Sequence, residues 1–170
     1  MKTKKLIRYR VSVSRTFPAT HPRKGEETFF VDRISNSMDR SPYEAHLSPE
    51  QKREYIKKCH TIRGNFDVWV KRFEKINKGE AILELYYWSG KPYNSKCITI
   101  CQLGKDHEIG IQKIEFDDYL YSALIDGNRF GEVHNLALND GLTYADFEAW
   151  FKGADLSKPM AIIHFTNFRY

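Results

Sequence analysis

Lys57, Lys58, Cys59, His60, Thr61, Ile62, Arg63, Gly64 and Asn65 are consecutive, and no other stretch of the 170-residue chain is as chemically dense. Amines, an imidazole, a hydroxyl and a guanidinium lie together just ahead of a Gly-Asn turn. If His60 to Arg63 is a short strand, Thr61 and Arg63 share one face while His60 and Ile62 share the other. Lys58, immediately before it, then reaches the Thr61 side. An amine, a hydroxyl and a fixed cation on one surface suit a site that holds an anionic or carbonyl-bearing ligand. A strand of a basic protein can equally display solvated charges, so the stretch becomes a site only if other parts of the chain close around it.

A second cluster interleaves rings and cations. Trp88, Lys91, Tyr93 and Lys96 fall within nine residues around Ser89-Gly90 and Pro92. Nucleic-acid sites need Lys or Arg for phosphates and flat rings for bases, and this segment supplies both. An ordinary turn whose rings cap the edge of a core would read the same way. With Lys57, Lys58, Arg63 and Asn65, these four residues are the candidate nucleic-acid contacts.

Net charge supports a polyanionic partner. The chain carries +5, but residues 1–75 hold 18 of the 27 Lys and Arg and 9 of the 22 Asp and Glu. The first part is therefore basic and the rest acidic, as a polyanion-binding face on a soluble domain would produce. Folding that interleaves the two halves would erase the asymmetry. No apolar run approaches the ~20 residues of a bilayer span, and no signal core follows the basic start, so a cytoplasmic protein with no membrane partner is expected. Cysteines at 59, 97 and 101 show no Cys-x-x-Cys spacing, and the six histidines show no ligand spacing. No metal and no cofactor are expected. Oligomeric state is not readable from the sequence.

The length fits one domain over residues 1–170, burying roughly two-thirds of its unfolded surface. Leu6 to Ser14 reads as a strand from its alternation, and Arg15 to Thr28, with two prolines and a glycine, as an irregular loop. Phe29 to Asn36 could be strand or helix, and residues 35–49 form the expected mobile insertion. Ser48-Pro49-Glu50-Gln51 has the form of a capping box opening a helix to about Lys57. Asn65 is positioned to cap a helix with Phe66, Trp69, Val70, Phe73 and Ile76 as its core stripe, ended by Gly79. Ile82 to Trp88 and Cys97 to Cys101 form an expected hairpin, with Cys97 and Cys101 pointing the same way into the core. His107 to Phe116 gives another strand, Tyr119 onward a hairpin about Asp126-Gly127-Asn128, Thr143 a helix cap, and Met160 to Phe168 a closing strand.

Lys58-x-x-Thr61-Ile62-Arg63 resembles the K-x-x-T-x-R signature of the ASCH domains, a PUA-like family associated with RNA. Phe30 to Ile34 resembles the F-x-x-x-I segment that precedes the signature there. Gly79-Glu80-Ala81-Ile82-Leu83 resembles the Gly-Asp strand opening that follows, and Asp140-Gly141-Leu142 the acidic residue ahead of a short helix. Pro159 to Tyr170, with Trp88 to Tyr93, is similar to a subgroup associated with gut Bacteroidetes and their mobile elements. The resemblance implies an α+β fold built on a small PUA-like β-barrel with two to four flanking helices, and binding of RNA or a modified nucleotide. It also implies an alternative, since some ASCH-like proteins are amidohydrolases that deacylate cytidine, and their catalytic residues map onto Lys58, Thr61 and Asp140. Thr61 would need its proton removed, and Lys58 could remove it only with a pKa lowered from roughly 10.4. Arg63 pushes that pKa down and a close Asp140 pushes it up. A protein-interaction domain without a nucleic-acid ligand is the remaining alternative.

Overall fold

The computed structural model describes residues 5–38, 48–49 and 56–170, and among these residues two β-sheets and four helices make up the regular elements named below. Along the chain these are β1 (Ile7–Ser12), α1 (Phe30–Met38), β2 (His60–Arg63), α2 (Phe66–Asn77), β3 (Ala81–Trp88) and β4 (Cys97–Leu103). There follow β5 (Gly110–Phe116), β6 (Ala123–Ile125), β7 (Asn128–Phe130), α3 (Val133–Asn139), α4 (Tyr144–Phe151) and β8 (Met160–His164).

The sheets are separate. One has the order β1-β3-β4, with β1 parallel to β3, and the other the antiparallel order β2-β8-β5-β6-β7. The expected PUA-like barrel is therefore not formed, although the α+β class holds. The reason lies in α2, whose buried Trp69, Phe73 and Ile76 lie on a helix that packs against β3 of one sheet and β5 and β8 of the other. Both sheets bury their apolar faces on that stripe instead of bonding to each other. Fully buried Leu83 and Leu85 from β3, Ile114 from β5, and Ile162 and Ile163 from β8 complete the core.

Local chemistry explains several element ends. Asn65 opens α2 from a left-handed conformation (φ 60°) without a side-chain cap, and Gly79, at φ 71°, ends it by donating to the Ile76 carbonyl at 2.8 Å. Thr143 Oγ1 caps α4, accepting from Asp146 N at 3.1 Å. Asp126 and Gly127 both have positive φ, the signature of a two-residue turn between β6 and β7.

Of the two forms open to Phe29–Asn36 the chain takes the helix, as Phe30–Met38, and two expectations change. Val133–Asn139 is a helix that the sequence reading leaves inside a hairpin. A register shift where β4 crosses Leu85 and Tyr86 moves Cys101 opposite Leu85 while Cys97 stays opposite Trp88. The two thiols thus face opposite sides of the sheet, Cys101 against the core and Cys97 outward, because one extra residue inverts the alternation. Most of the expected insertion at 35–49, and of the helix expected from Pro49, lies outside the described residues. Ile56 to Cys59 has no regular secondary structure.

Part of the charge asymmetry is met by ion pairs between the halves. Arg10 Nε donates to Glu84 Oε1 at 2.8 Å, Arg23 Nη1 to Asp146 Oδ2 at 2.8 Å, and Lys58 Nζ to Asp140 Oδ1 at 2.5 Å. Among the described residues no helix is long and apolar enough to cross a membrane.

Candidate functional site

The segment leading into β2 is held by backbone bonds to three elements. Lys58 N donates to the Arg33 carbonyl of α1 at 2.9 Å, Cys59 N to the Asn139 carbonyl of α3 at 2.7 Å, and Phe165 N, just after β8, to the Cys59 carbonyl at 2.9 Å. These bonds fix the approach of Lys58 to the end of α3. Asp140 follows that helix directly and donates its N–H back to Leu136 O at 3.0 Å. Gly141 then turns through φ 76°, and a Cβ there would lie 3.1 Å from Lys58 Cβ. Glycine is what lets the Asp140 backbone approach the lysine stem so closely.

Lys58 and Asp140 are 3 % and 5 % exposed, so their pairing is a buried one. The ammonium donates to Asp140 Oδ1 at 2.5 Å and to the Asp140 carbonyl at 2.7 Å, and it lies 4.2 Å from the centre of the Phe30 ring. Burial pulls the Lys58 pKa down and pushes that of Asp140 up, while their mutual attraction opposes both shifts. Arg63, also lowered by burial, donates from Nη2 to the Ser12 carbonyl at 2.6 Å. That bond ties β2 to the end of β1.

Lys58, Thr61, Arg63 and Asp140 line one recess of about 30 Å³, closed by Phe30, Ile62, Val13, Ser14, Trp150 and Phe151. Its volume matches about one water molecule. The four polar side chains, separated by up to 82 positions in the chain, thus meet in one place. Val13 and Ser14 also line an adjoining groove of about 710 Å³, together with Arg15, Trp88, Gly90, Lys91, Pro92 and Tyr93. Tyr93 is 87 % exposed at φ 65°, with its ring centre 5.2 Å from that of Trp88. The two sequence clusters therefore sit side by side, sharing the stretch after β1 as a common wall.

Three expected contacts fall elsewhere. Asn65 lines a different depression with Phe66, Asp67 and Met160. Lys57, next to Lys58, lines neither the recess nor the groove, and Lys96 is exposed beyond the groove. Lys57 stops short of the recess that its neighbour Lys58 lines, Asn65 lies with its neighbours Gly64 and Phe66 in the other depression, and Lys96 follows the turn whose tip borders the groove. Arg33 is the main residue that the sequence reading missed: its Nη1 donates to the Gly141 carbonyl at 2.5 Å, clamping α1 to the turn after Asp140. Its place inside the Phe30–Ile34 segment was the available signal.

Among the described residues no group of three or more His, Cys, Asp or Glu is arranged to hold a metal ion. The site is therefore an amine, a hydroxyl, a carboxyl and a guanidinium around a small recess, opening beside an aromatic and basic groove. Compared with family models, with curated proteins and with solved structures, the chain matches none, so its function is argued from this site.

Proposed function

We propose that this chain binds RNA or a modified nucleotide, with a base on the Trp88–Tyr93 rings and a polar or anionic group turned toward Arg63 and Lys58. The observation that carries the reading is the shared wall: Val13 and Ser14 border both the recess and the groove. A groove of about 710 Å³ is within the usual range for small-molecule ligands, and the Tyr93 ring beside it is packed on Trp88 but otherwise largely open to solvent. Arg63 has five N–H donors and uses one on Ser12, which leaves donors for a ligand. The K-x-x-T-x-R resemblance supports the same reading through its side chains alone. Fluorescence anisotropy with labelled single-stranded RNA tests it. Affinity should fall as salt rises, because each phosphate contact releases counterions, and Arg63→Ala should weaken it further. No binding to single-stranded or structured RNA at low salt would remove this reading in favour of a protein partner.

One observation favours deacylation of cytidine as a second reading. Thr61 shares the recess with an amine whose pKa burial lowers, as general-base activation of a hydroxyl requires. In that reaction Lys58 first passes one proton to the Asp140 carboxylate that it already contacts, the neutral amine takes the Thr61 proton, Thr61 Oγ1 bonds to the acyl carbon, and the C–N bond breaks as cytidine leaves carrying that proton. Water then hydrolyses the acyl-threonine. Acylated cytidine should release cytidine, and Thr61→Ala should abolish release without unfolding the protein. Full activity in that variant would end the nucleophile assignment.

A further inference from the structure

His60 lies on the far face of β2 from Thr61, fully buried, and its environment holds a polar chain that neither reading uses. Its Nε2 is 2.7 Å from Tyr170 Oη, and that oxygen is in turn 3.1 Å from Asn139 Nδ2. Its Nδ1 has no hydrogen-bond partner, and Asp140 Oδ1 is 3.6 Å away. An uncompensated buried imidazole nitrogen is costly, so the direction of this chain matters.

We propose that Asn139, Tyr170 and His60 form a one-directional hydrogen-bond chain that leaves the His60 Nδ1–H facing Asp140 Oδ1 at 3.6 Å, an electrostatic contact beyond hydrogen-bond distance, which makes His60 the positioning residue of the Lys58–Asp140 pair. The inference rests on taking the recess described above as the functional site. Each donor follows from the one before. The Asn139 amide nitrogen can only donate, so Tyr170 Oη accepts from it and has its single proton free for its other neighbour. Burial raises the Tyr170 pKa, which keeps that proton in place. The phenol therefore donates to His60 Nε2. A neutral imidazole that accepts at Nε2 carries its proton on Nδ1, and Nδ1 faces the carboxylate oxygen that already accepts from Lys58.

His60 is neutral for stated reasons: burial, then the neighbouring His164 ring 5.6 Å away, then Lys58 all disfavour the imidazolium. The opposite tautomer would set a bare Nδ1 lone pair against Asp140 Oδ1 and leave the phenol proton without its acceptor. Tyr170 cannot easily turn away, because Gln112 binds its backbone on both sides, accepting from Tyr170 N at 2.9 Å and donating to Tyr170 O at 3.3 Å. Phe130 and Phe168 pack on its ring with centres 5.0 and 4.9 Å distant. The chain thus aims an N–H at the same carboxylate oxygen that the lysine holds, and its first residue, Asn139, lies next to Asp140 in sequence.

Long-range ¹H–¹⁵N correlation spectra of the full chain at neutral pH test this directly. His60, assigned as the signal lost in His60→Gln, should show a protonated Nδ1 and an unprotonated Nε2. Tyr170→Phe, which removes the phenol proton and keeps the ring, should shift that same signal toward the Nε2-protonated form. If His60→Gln does not fold, Tyr170→Phe alone still serves, since one histidine of the parent in the Nδ1-protonated form must move. A parent His60 protonated on Nε2 or averaging between forms, or a tautomer unchanged in Tyr170→Phe, overturns the chain. RNA binding accompanied by an Nε2-protonated His60 would leave the site reading standing and remove His60 from it. An Nδ1-protonated His60 in a protein that binds no RNA would do the reverse.

Discussion

Cutting the Lys58–Asp140 pair should be among the most destabilising changes that two polar positions of this chain permit. Both groups are almost wholly out of water, and the ammonium has the Asp140 carboxylate, the Asp140 carbonyl at 2.7 Å and the Phe30 ring as its recorded partners. Lys58→Met keeps the apolar stem and leaves a buried carboxylate, while Asp140→Asn leaves a buried ammonium on the carbonyl and the ring. Removal of one partner of a buried pair costs about 3–5 kcal/mol, against ~0–1 kcal/mol for an exposed pair. With a urea dependence on the order of 2 kcal/mol per molar, the midpoint should drop by about 2 M. Lys58→Met should be milder in acid, because burial already raises the Asp140 pKa and protonation discharges it. The double variant Lys58→Met/Asp140→Asn carries no buried charge and should cost no more than the worse single one, giving a coupling energy above about 2 kcal/mol. Urea titrations of the parent, both single variants and the double variant at pH 7 supply the whole cycle. Single losses near 1 kcal/mol that add in the double variant would refute the burial argument, since they are what solvated charges would give.

Tyr93→Ala should leave stability within about 0.5 kcal/mol, since the ring is 87 % exposed, yet weaken RNA binding by about 1–3 kcal/mol through lost stacking; equal affinities for parent and variant would take Trp88–Tyr93 out of the site. Gly141→Ala should destabilise by about 2 kcal/mol in urea titration, since φ 76° strains any side chain and its Cβ would lie 3.1 Å from Lys58 Cβ. Acid should destabilise the fold. His164, fully buried, has its pKa lowered to about 3 chiefly by burial, and that of His60 lies well below its ordinary value. A depressed folded-state pKa contributes stability that is complete above the unfolded value of about 6.5 and is lost as pH falls from there toward 3. Each histidine should therefore cost about 1.4 kcal/mol per pH unit, seen as a falling urea midpoint between pH 6.5 and 4.5. A flat midpoint over that range would mean that neither imidazole is held neutral.

Much of the site's chemistry was legible in the sequence because it is local. The spacing of Lys58, Thr61 and Arg63 put an amine, a hydroxyl and a guanidinium together once β2 formed, and the period of Trp69, Phe73 and Ile76 marked the buried face of α2. Gly79 and Thr143 announced helix ends through their own conformational and capping preferences. Asp140 entered through the resemblance of Asp140-Gly141-Leu142 to a family motif, not through any period. Pairing between distant segments was a different matter. Strand alternation says which side of a strand is apolar but not which strand lies beside it, so it could not distinguish a closed barrel from two sheets packed on one helix. The inverted facing of Cys97 and Cys101 depends on a single extra residue opposite β3, invisible in the β-branched run itself. The contact of His60 with Tyr170 spans 110 positions, and that of Arg33 with Gly141 spans 108. Such partners are chosen by how α1, α3 and β8 pack around β2, because only burial removes water as the competing partner and makes one hydrogen-bond arrangement much better than the rest.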